Sequence, residues 1–204
     1  CNPNGILFNP MSISKALNSY INKTLIKSDE LICQNGIYCS LDHQYMELNE
    51  KDVLVESINN NTENYHDYLK NTKFLLITFG SAYVYRYLRT NNIVANCHKL
   101  PQQDFKKELL STQTIIKEYT SIINELKQFN PNLNIIFTVS PVKYLRNGII
   151  ENNLSKSILI QSVHELVSSN SNCFYFPAYE LVNDDLRDYR FYKEDMAHPN
   201  NQAI

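Results

Sequence analysis

The chain has 204 residues, of which 43% are hydrophobic and 20% charged, with a formal net charge of -2. These amounts suit one ordinary globular domain with ample material for a core. Near-neutral charge without a run of Lys or Arg leaves no electrostatic footprint for nucleic acid. The longest apolar runs, "FLLITFG" and "LNIIFTV", are far shorter than the roughly 18 residues that span a bilayer, and they read as buried strands.

In chain order, residues 12–26 predict a helix capped by Ser12 or Ser14. Residues 31–48 alternate weakly around Gly36 and predict an inserted hairpin or lid. Residues 50–71 predict a helix broken by the Asn59, Asn60, Asn61 cluster. Three apolar runs bounded by turn residues, 74–80, 134–140 and 173–177, predict buried strands. Between the first two, residues 105–129 place Ile115, Ile116, Tyr119, Ile122, Ile123, Leu126 and Phe129 at three- and four-residue steps, a helix with one apolar stripe. Residues 154–167 repeat the pattern with Ile158, Leu159, Val163 and Leu166. Strand, helix, strand, helix, strand is the order of an α/β fold with a mostly parallel sheet covered by helices on both faces. No internal repeat appears, and the short Asn-rich patches are too closely flanked by apolar periodicity to be linkers.

The five cysteines, Cys1, Cys33, Cys39, Cys97 and Cys173, are odd in number and irregularly spaced, against a disulfide framework and mildly for a reducing, cytoplasmic compartment. Cys33, Cys39 and His43 match no common zinc spacing, so no metal is implied. The chain opens on Cys without a secretory signal, which reads as a processed or cut N-terminus. A lipidated cysteine is the weaker reading, because "CNPNGILFNP" has no polar tether.

In parallel α/β sheets, ligands bind beyond the carboxyl ends of the strands, where loops meet helix N-termini. The loops there are "GSAYVYR", "SPVKYLRNG" and the segment after "FYFPAYE" that leads to "RDYRFYKEDMAHPN". In that last segment Asp195 precedes His198 by three residues. A histidine takes and returns a proton near neutrality, and a nearby carboxylate fixes its tautomer, so the pair is half of a hydrolase. The alternatives are a helix N-cap at Asp195 and a polar loop.

Gly80 and Ser81 sit on a strand-to-loop turn that could present backbone N–H groups to an oxyanion. The fuller G-x-S-x-G elbow is absent, which favours Ser81 as a donor over Ser81 as a nucleophile. An ordinary strand end with small residues is the plainer reading. In "NCHKLP", adjacency alone cannot make Cys97 and His98 a dyad, whereas Asn96 or His98 could donate to a substrate oxygen, as could His43 on the hairpin. A solvated loop is an equal alternative for the first two and a half-buried structural histidine for the third. Arg190, with the tyrosines around it, suits an amphipathic wall for a sugar or acyl group, although such residues more often hold a loop in place. His66 and His164 lie in helical patterns and receive no role.

Taken together and in order, "NPNGILFNP", "ITFGSAYVY", "NCHKLP", "TVSPV", "NNLSKSIL", "YFPAYEL" and "LRDYRFYKEDMAHPN" resemble the GSCFA family, a bacterial branch related to the SGNH/GDSL hydrolases. The resemblance runs over essentially the whole chain. It implies a three-layer α/β/α flavodoxin-like fold and ester hydrolysis by a Ser-His-Asp triad, with Asp195 as the acid and His198 as the base. It places Gly5 as the counterpart of a glycine whose N–H points into the oxyanion hole, with Gly80 and Ser81 as further donors. Classical SGNH enzymes carry an asparagine amide after the glycine at that last position, so Ser81 stands in its place.

The Gly-Ser-Cys-Phe-Ala motif that names the family is not in these 204 residues, and the resemblance therefore predicts upstream residues carrying the first strand and the serine. Substrate-binding candidates are Asn9, His43, Tyr83, Tyr85, Asn96, His98 and Arg190. The expected partner is a small-molecule or carbohydrate ester, without a cofactor or metal. A catalytically idle carbohydrate- or acyl-binding module, and an acyltransferase to a sugar hydroxyl, are the alternatives.

Overall fold

The computed structural model describes residues 2–44, 47–145 and 148–204. Along the chain run α1 (Pro10–Asn22), β1 (Ile32–Gln34), β2 (Ile37–Cys39), β3 (Glu47–Leu48), α2 (Lys51–Asn71), β4 (Phe74–Phe79), β5 (Tyr83–Tyr87) and β6 (Asn92–Val94). They are followed by β7 (Phe105–Leu109), α3 (Thr112–Phe129), β8 (Asn134–Val139), α4 (Ile149–Ser169), β9 (Cys173–Tyr175) and the short α5 (Ala178–Glu180).

The three apolar runs form one parallel sheet in the order β4-β8-β9, with Ile77 beside Phe137 and Ile135 beside Cys173. One face of it is the core. Ile77, Phe79, Ile135, Phe137 and Val139 are buried in one cluster with Leu17 and Tyr20 of α1, Ile115, Tyr119 and Ile122 of α3, and Leu159 and Val163 of α4. The period of two along each strand sends the intervening residues to the other face. There Phe74 and Leu76 are 63% and 61% exposed and Phe174 is also exposed, while Thr138 on the same face is buried, so the described residues cover that face only in part where helices on both faces were expected.

The expectation of a mostly parallel sheet needs a second correction. An antiparallel sheet in the order β6-β5-β7 follows β4 directly, with Tyr85 opposite both Val94 and Lys107. The segment "YVYRY", expected to be a loop, is its central strand, and residues 105–109, expected to open a helix, are its edge. That helix begins only at Thr112, where the Ser111 side chain accepts from the Thr114 N–H and stops the strand from continuing. Residues 32–48 carry a third, small antiparallel sheet, β1-β2-β3, whose β1–β2 hairpin turns at Asn35 and Gly36. Both have positive φ, 51° and 78°, the conformation that an Asn-Gly hairpin turn supplies cheaply.

The helices also start and stop differently from expectation. The N-cap of α1 is Asn9, not Ser12 or Ser14. Its Oδ1 accepts from the Ser12 N–H at 2.8 Å and Pro10 follows as the first helical residue. The Asn59–Asn61 cluster does not break α2, because the Asn59 side chain bonds to the chain outside the helix and not to the helix's own backbone. Its amide pairs with both backbone groups of Ile26, at 2.8 and 3.1 Å, and ties the end of the preceding loop to the helix. Among the described residues no helix is long and apolar enough to cross a membrane.

Candidate active site

Asp195 and His198 meet in a tight polar turn beyond β9. Asp195 Oδ1 accepts from the backbone N–H groups of Ala197 and His198, both at 2.9 Å, and Met196 between them takes a left-handed φ of 56°. The second oxygen, Oδ2, lies 2.6 Å from His198 Nδ1. The three-residue spacing thus makes one carboxylate cap the turn with one oxygen and orient the imidazole with the other. No helix begins at Asp195, so the carboxylate caps a turn and not a helix N-terminus, with the imidazole in contact with its other oxygen.

The turn is held in place from three sides. Lys193 N–H donates to the His198 carbonyl and Asn200 N–H to that of Phe191, which closes residues 191–200 into a hairpin-like loop. Lys143, after β8, donates its backbone N–H to the Ala197 carbonyl at 3.1 Å, and its ammonium lies 4.0 Å from the centre of the Tyr192 ring.

The backbone N–H of His198, then that of Ala197, then the imidazole hold the Asp195 carboxyl down to about 2. The side chains are half exposed, 49% for Asp195 and 53% for His198, so this anchoring is a local one and is screened by solvent. With Nδ1 committed to Asp195, Nε2 is the ring nitrogen left to exchange a proton with a substrate or nucleophile. The folded turn favours the ionised carboxylate, so its contribution is complete above the ordinary carboxylate value and is lost as the pH falls through about 2. The amide resonances of Ala197 and His198 are expected to titrate together with a midpoint at about pH 2, and Asp195→Asn is expected to abolish that titration. An unchanged titration in the variant would assign it to another carboxyl.

The turn after β4 is expected to offer N–H groups to an oxyanion, and its geometry differs. The N–H groups of Gly80 and Ser81 both donate to the carbonyl of Phe8, at 2.9 and 2.8 Å, and Gly5 N–H donates to Asn2 O at 2.9 Å. All three backbone donors are therefore engaged within the chain. Gly80 has a further reason to be glycine, since a Cβ would sit 3.0 Å from the Phe8 carbonyl oxygen. Ser81 Oγ accepts from the Tyr83 N–H at 3.1 Å and lies 3.5 Å from Ser155 Oγ.

His43, His98 and Asn96 gather at a different place, around the loop that follows β2. His98 is buried, with Nε2 2.8 Å from the carbonyls of both Ser40 and His43 and Nδ1 2.9 Å from Glu47 Oε1. Its own N–H donates to Asn96 Oδ1, and its φ of 44° is left-handed. His43 is buried against Ser40 Oγ at 2.8 Å, and burial pushes its imidazole down to about 4. These side chains staple the "NCHKLP" segment to the hairpin region and form a structural cluster rather than a solvated loop. His98→Leu leaves the His43 carbonyl without its imidazole donor and the Ser40 carbonyl with the His43 N–H alone, and is expected to cost about 1–3 kcal/mol in urea unfolding. A variant as stable as the parent would remove the stapling role.

Asn9 is spent on capping α1. Tyr83 lies on β5 with the Lys107 ammonium 4.2 Å from its ring centre, and Tyr85 lies two residues further along that strand. Arg190 is exposed, stacks over Phe191 at 4.9 Å and faces Asp188 at 3.6 Å. A shallow depression lined by Pro177, Glu180, Leu181, Asp184 and Asp185 contains neither Asp195 nor His198. Cys33, Cys39 and Cys173 are free thiols. Among the described residues no group of three or more His, Cys, Asp or Glu side chains is placed to hold a metal.

The side chain that sequence reasoning missed is Lys156 on α4. It is 1% exposed, and its ammonium donates to the carbonyls of Gly80 at 2.7 Å and Ser140 at 2.6 Å, at the carboxyl ends of β4 and β8. Burial pushes it down to about 8. Its signal lay in the periodicity, since Lys156 occupies the stripe of Asn152, Leu159, Val163 and Leu166 that α4 turns inward.

All 204 residues match the GSCFA family. The chain belongs to the GSCFA family. No curated protein and no solved structure gives a match to it. In this GSCFA protein the matched range includes the Asp195–His198 pair, the β4 turn and Lys156.

Proposed function

We propose that this protein is a serine esterase or acyl (acetyl) hydrolase of SGNH type. Asp195 orients His198, and His198 Nε2 takes the proton of a serine hydroxyl that attacks the ester carbonyl, then returns it to the leaving alcohol. The serine of this reading lies outside the 204 residues. The observation that carries the reading is the 2.6 Å contact of His198 Nδ1 with an Asp195 carboxylate that three donors keep ionised. That is the acid and base half of a triad on a short loop at the expected end of a parallel sheet.

The fold we propose with it is the three-layer α/β/α arrangement over one domain. The exposed Phe74, Leu76 and Phe174 support it, because an apolar face of a parallel sheet is the seat of a further layer. Residues 31–48 serve as a lid in this reading.

A second reading, a binding module for a sugar or acyl group, is favoured by one specific observation. The Gly80 and Ser81 N–H groups already bond to Phe8, which leaves an oxyanion without those donors. Treating the native full-length protein with a fluorophosphonate and mapping the labelled residue separates the two. Labelling of an upstream serine establishes the enzyme, labelling at Ser81 moves the nucleophile to the β4 turn, and no labelling favours the binding module.

A further inference from the structure

Three loops meet at the carboxyl ends of β4 and β8: the Gly80–Ala82 turn, the residues that follow Ser140, and the Asp195–His198 turn. Two adjacent residues of α4, Ser155 and Lys156, reach into this junction. Ser155 is 3% exposed and its Oγ accepts the Ala82 N–H at 2.8 Å, while Lys156 donates to the Gly80 carbonyl two residues earlier. One helical turn thus grips the donor side and the acceptor side of the same three-residue turn. Phe8 O grips it from the opposite direction through the Gly80 and Ser81 N–H groups.

Lys156 has a second carbonyl, that of Ser140, at 2.6 Å. Ser140 opens the segment whose Lys143 N–H holds the Ala197 carbonyl beside His198. The ammonium therefore stands at the start of a bonded path from the β4 turn, through the loop after β8, to the histidine.

Burying an ammonium against two neutral carbonyls is a poor way to gain stability. Its desolvation is expensive, and an apolar side chain of similar length fills the same space without that cost. What the ammonium does supply is geometry, since it ties the Gly80 and Ser140 carbonyls to one point.

We propose that Ser155 and Lys156 are positioning residues, a buried two-pronged clip that sets the Gly80–Ala82 turn relative to the loop carrying His198. The inference rests on the esterase reading for its chemical consequence, and on the hydrogen bonds alone for the clip itself. The clip makes the turn a rigid platform, and in the esterase reading that platform carries Ser81 as a donor to the oxyanion. A loosening of about 1 Å at such a platform costs about 10²-fold in rate.

The test uses the native full-length protein with Lys156→Met and Ser155→Ala. Amide exchange read at Ala82 and Tyr83 is expected to accelerate about tenfold or more in each variant, with Ile77 and Phe137 in the strands unchanged. Thermal stability of Lys156→Met is expected to fall, because the Gly80 and Ser140 carbonyls lose their donor, so the exchange and labelling readouts carry the test. The limiting rate of fluorophosphonate labelling is expected to fall about 10²-fold at an unchanged half-saturating concentration.

Unchanged exchange at Ala82 and Tyr83 in both variants overturns the clip. Accelerated exchange with an unchanged labelling rate overturns its positioning role. If Lys156→Met does not fold, Ser155→Ala decides by the same two readouts. If the parent itself is not labelled, the esterase reading fails while the exchange data still decide the clip.

Discussion

His198→Ala in the native full-length protein is expected to lower the rate of fluorophosphonate labelling, and of any ester turnover, on the order of 10⁴-fold or more. The size follows from the role. Without the imidazole, a serine hydroxyl has no group to take its proton, and triad members act as a unit, so losing the base removes most of what the triad supplies. The fold is expected to survive, because the side chain is half exposed and the turn is organised by Asp195 Oδ1 on the backbone N–H groups of Ala197 and His198. Circular dichroism and the unfolding midpoint are the controls. Labelling of an upstream serine at the parent rate in this variant, with the fold intact, would end the assignment of His198 as the base.

The largest stability effect is expected at the centre of the covered sheet face. Phe137 is fully buried, with its ring 5.7 Å from that of Phe79 and 5.8 Å from that of Tyr119, centroid to centroid. Phe137→Ala removes a buried aromatic from a site where strand pairing on both sides of β8 prevents the backbone from collapsing into the gap. It is expected to cost about 3–5 kcal/mol, read from urea unfolding. Leu76→Ala, on the exposed face one strand away, is the matched control and is expected to cost about 0.5 kcal/mol or less in the 204-residue chain. The same substitution in the native full-length protein tests the three-layer arrangement. A cost of about 2–5 kcal/mol there would mean that another layer covers Leu76, whereas an unchanged small cost would leave that face open to solvent.

The two predictions draw on different kinds of information. The Asp195–His198 pair was legible because all of its geometry is local. A carboxylate three residues before a histidine reaches both the following N–H groups and the imidazole within one turn, whatever the remainder of the chain does. The parallel strands were legible for a similar reason, since short apolar runs such as "FLLITF" and "NIIFTV" fit little except a buried strand.

The β5–β6–β7 sheet was not legible. "YVYRY" follows β4 after three small residues, so it reads as a loop at the ligand-binding end, and only pairing with β6 on one side and β7 on the other makes it a strand. Residues 105–109 were absorbed into the helix that follows because their two apolar residues, Phe105 and Leu109, are four apart, a helical spacing, while Ser111 alone marks the boundary.

Among the site residues, the division is sharper. His98 and His43 carry functional chemistry in isolation, yet the fold commits both to buried backbone and hydroxyl partners around the hairpin. Lys156 carries no catalytic motif, yet α4 places it where β4 and β8 end. The sequence by itself determined the α/β class, the positions of the three parallel strands, the amphipathic helices and the Asp195–His198 turn, because each depends on contacts within a few residues or on a periodic apolar face. Only the tertiary structure decided which face of the sheet is covered, which polar side chains are structural, and that the Gly80 and Ser81 N–H groups bond to Phe8 while Ser155 and Lys156 hold the same turn from the other side. Those outcomes rest on partners some 70 residues apart in the chain, and the energy of a buried polar group is set by which partner arrives, which no local pattern encodes.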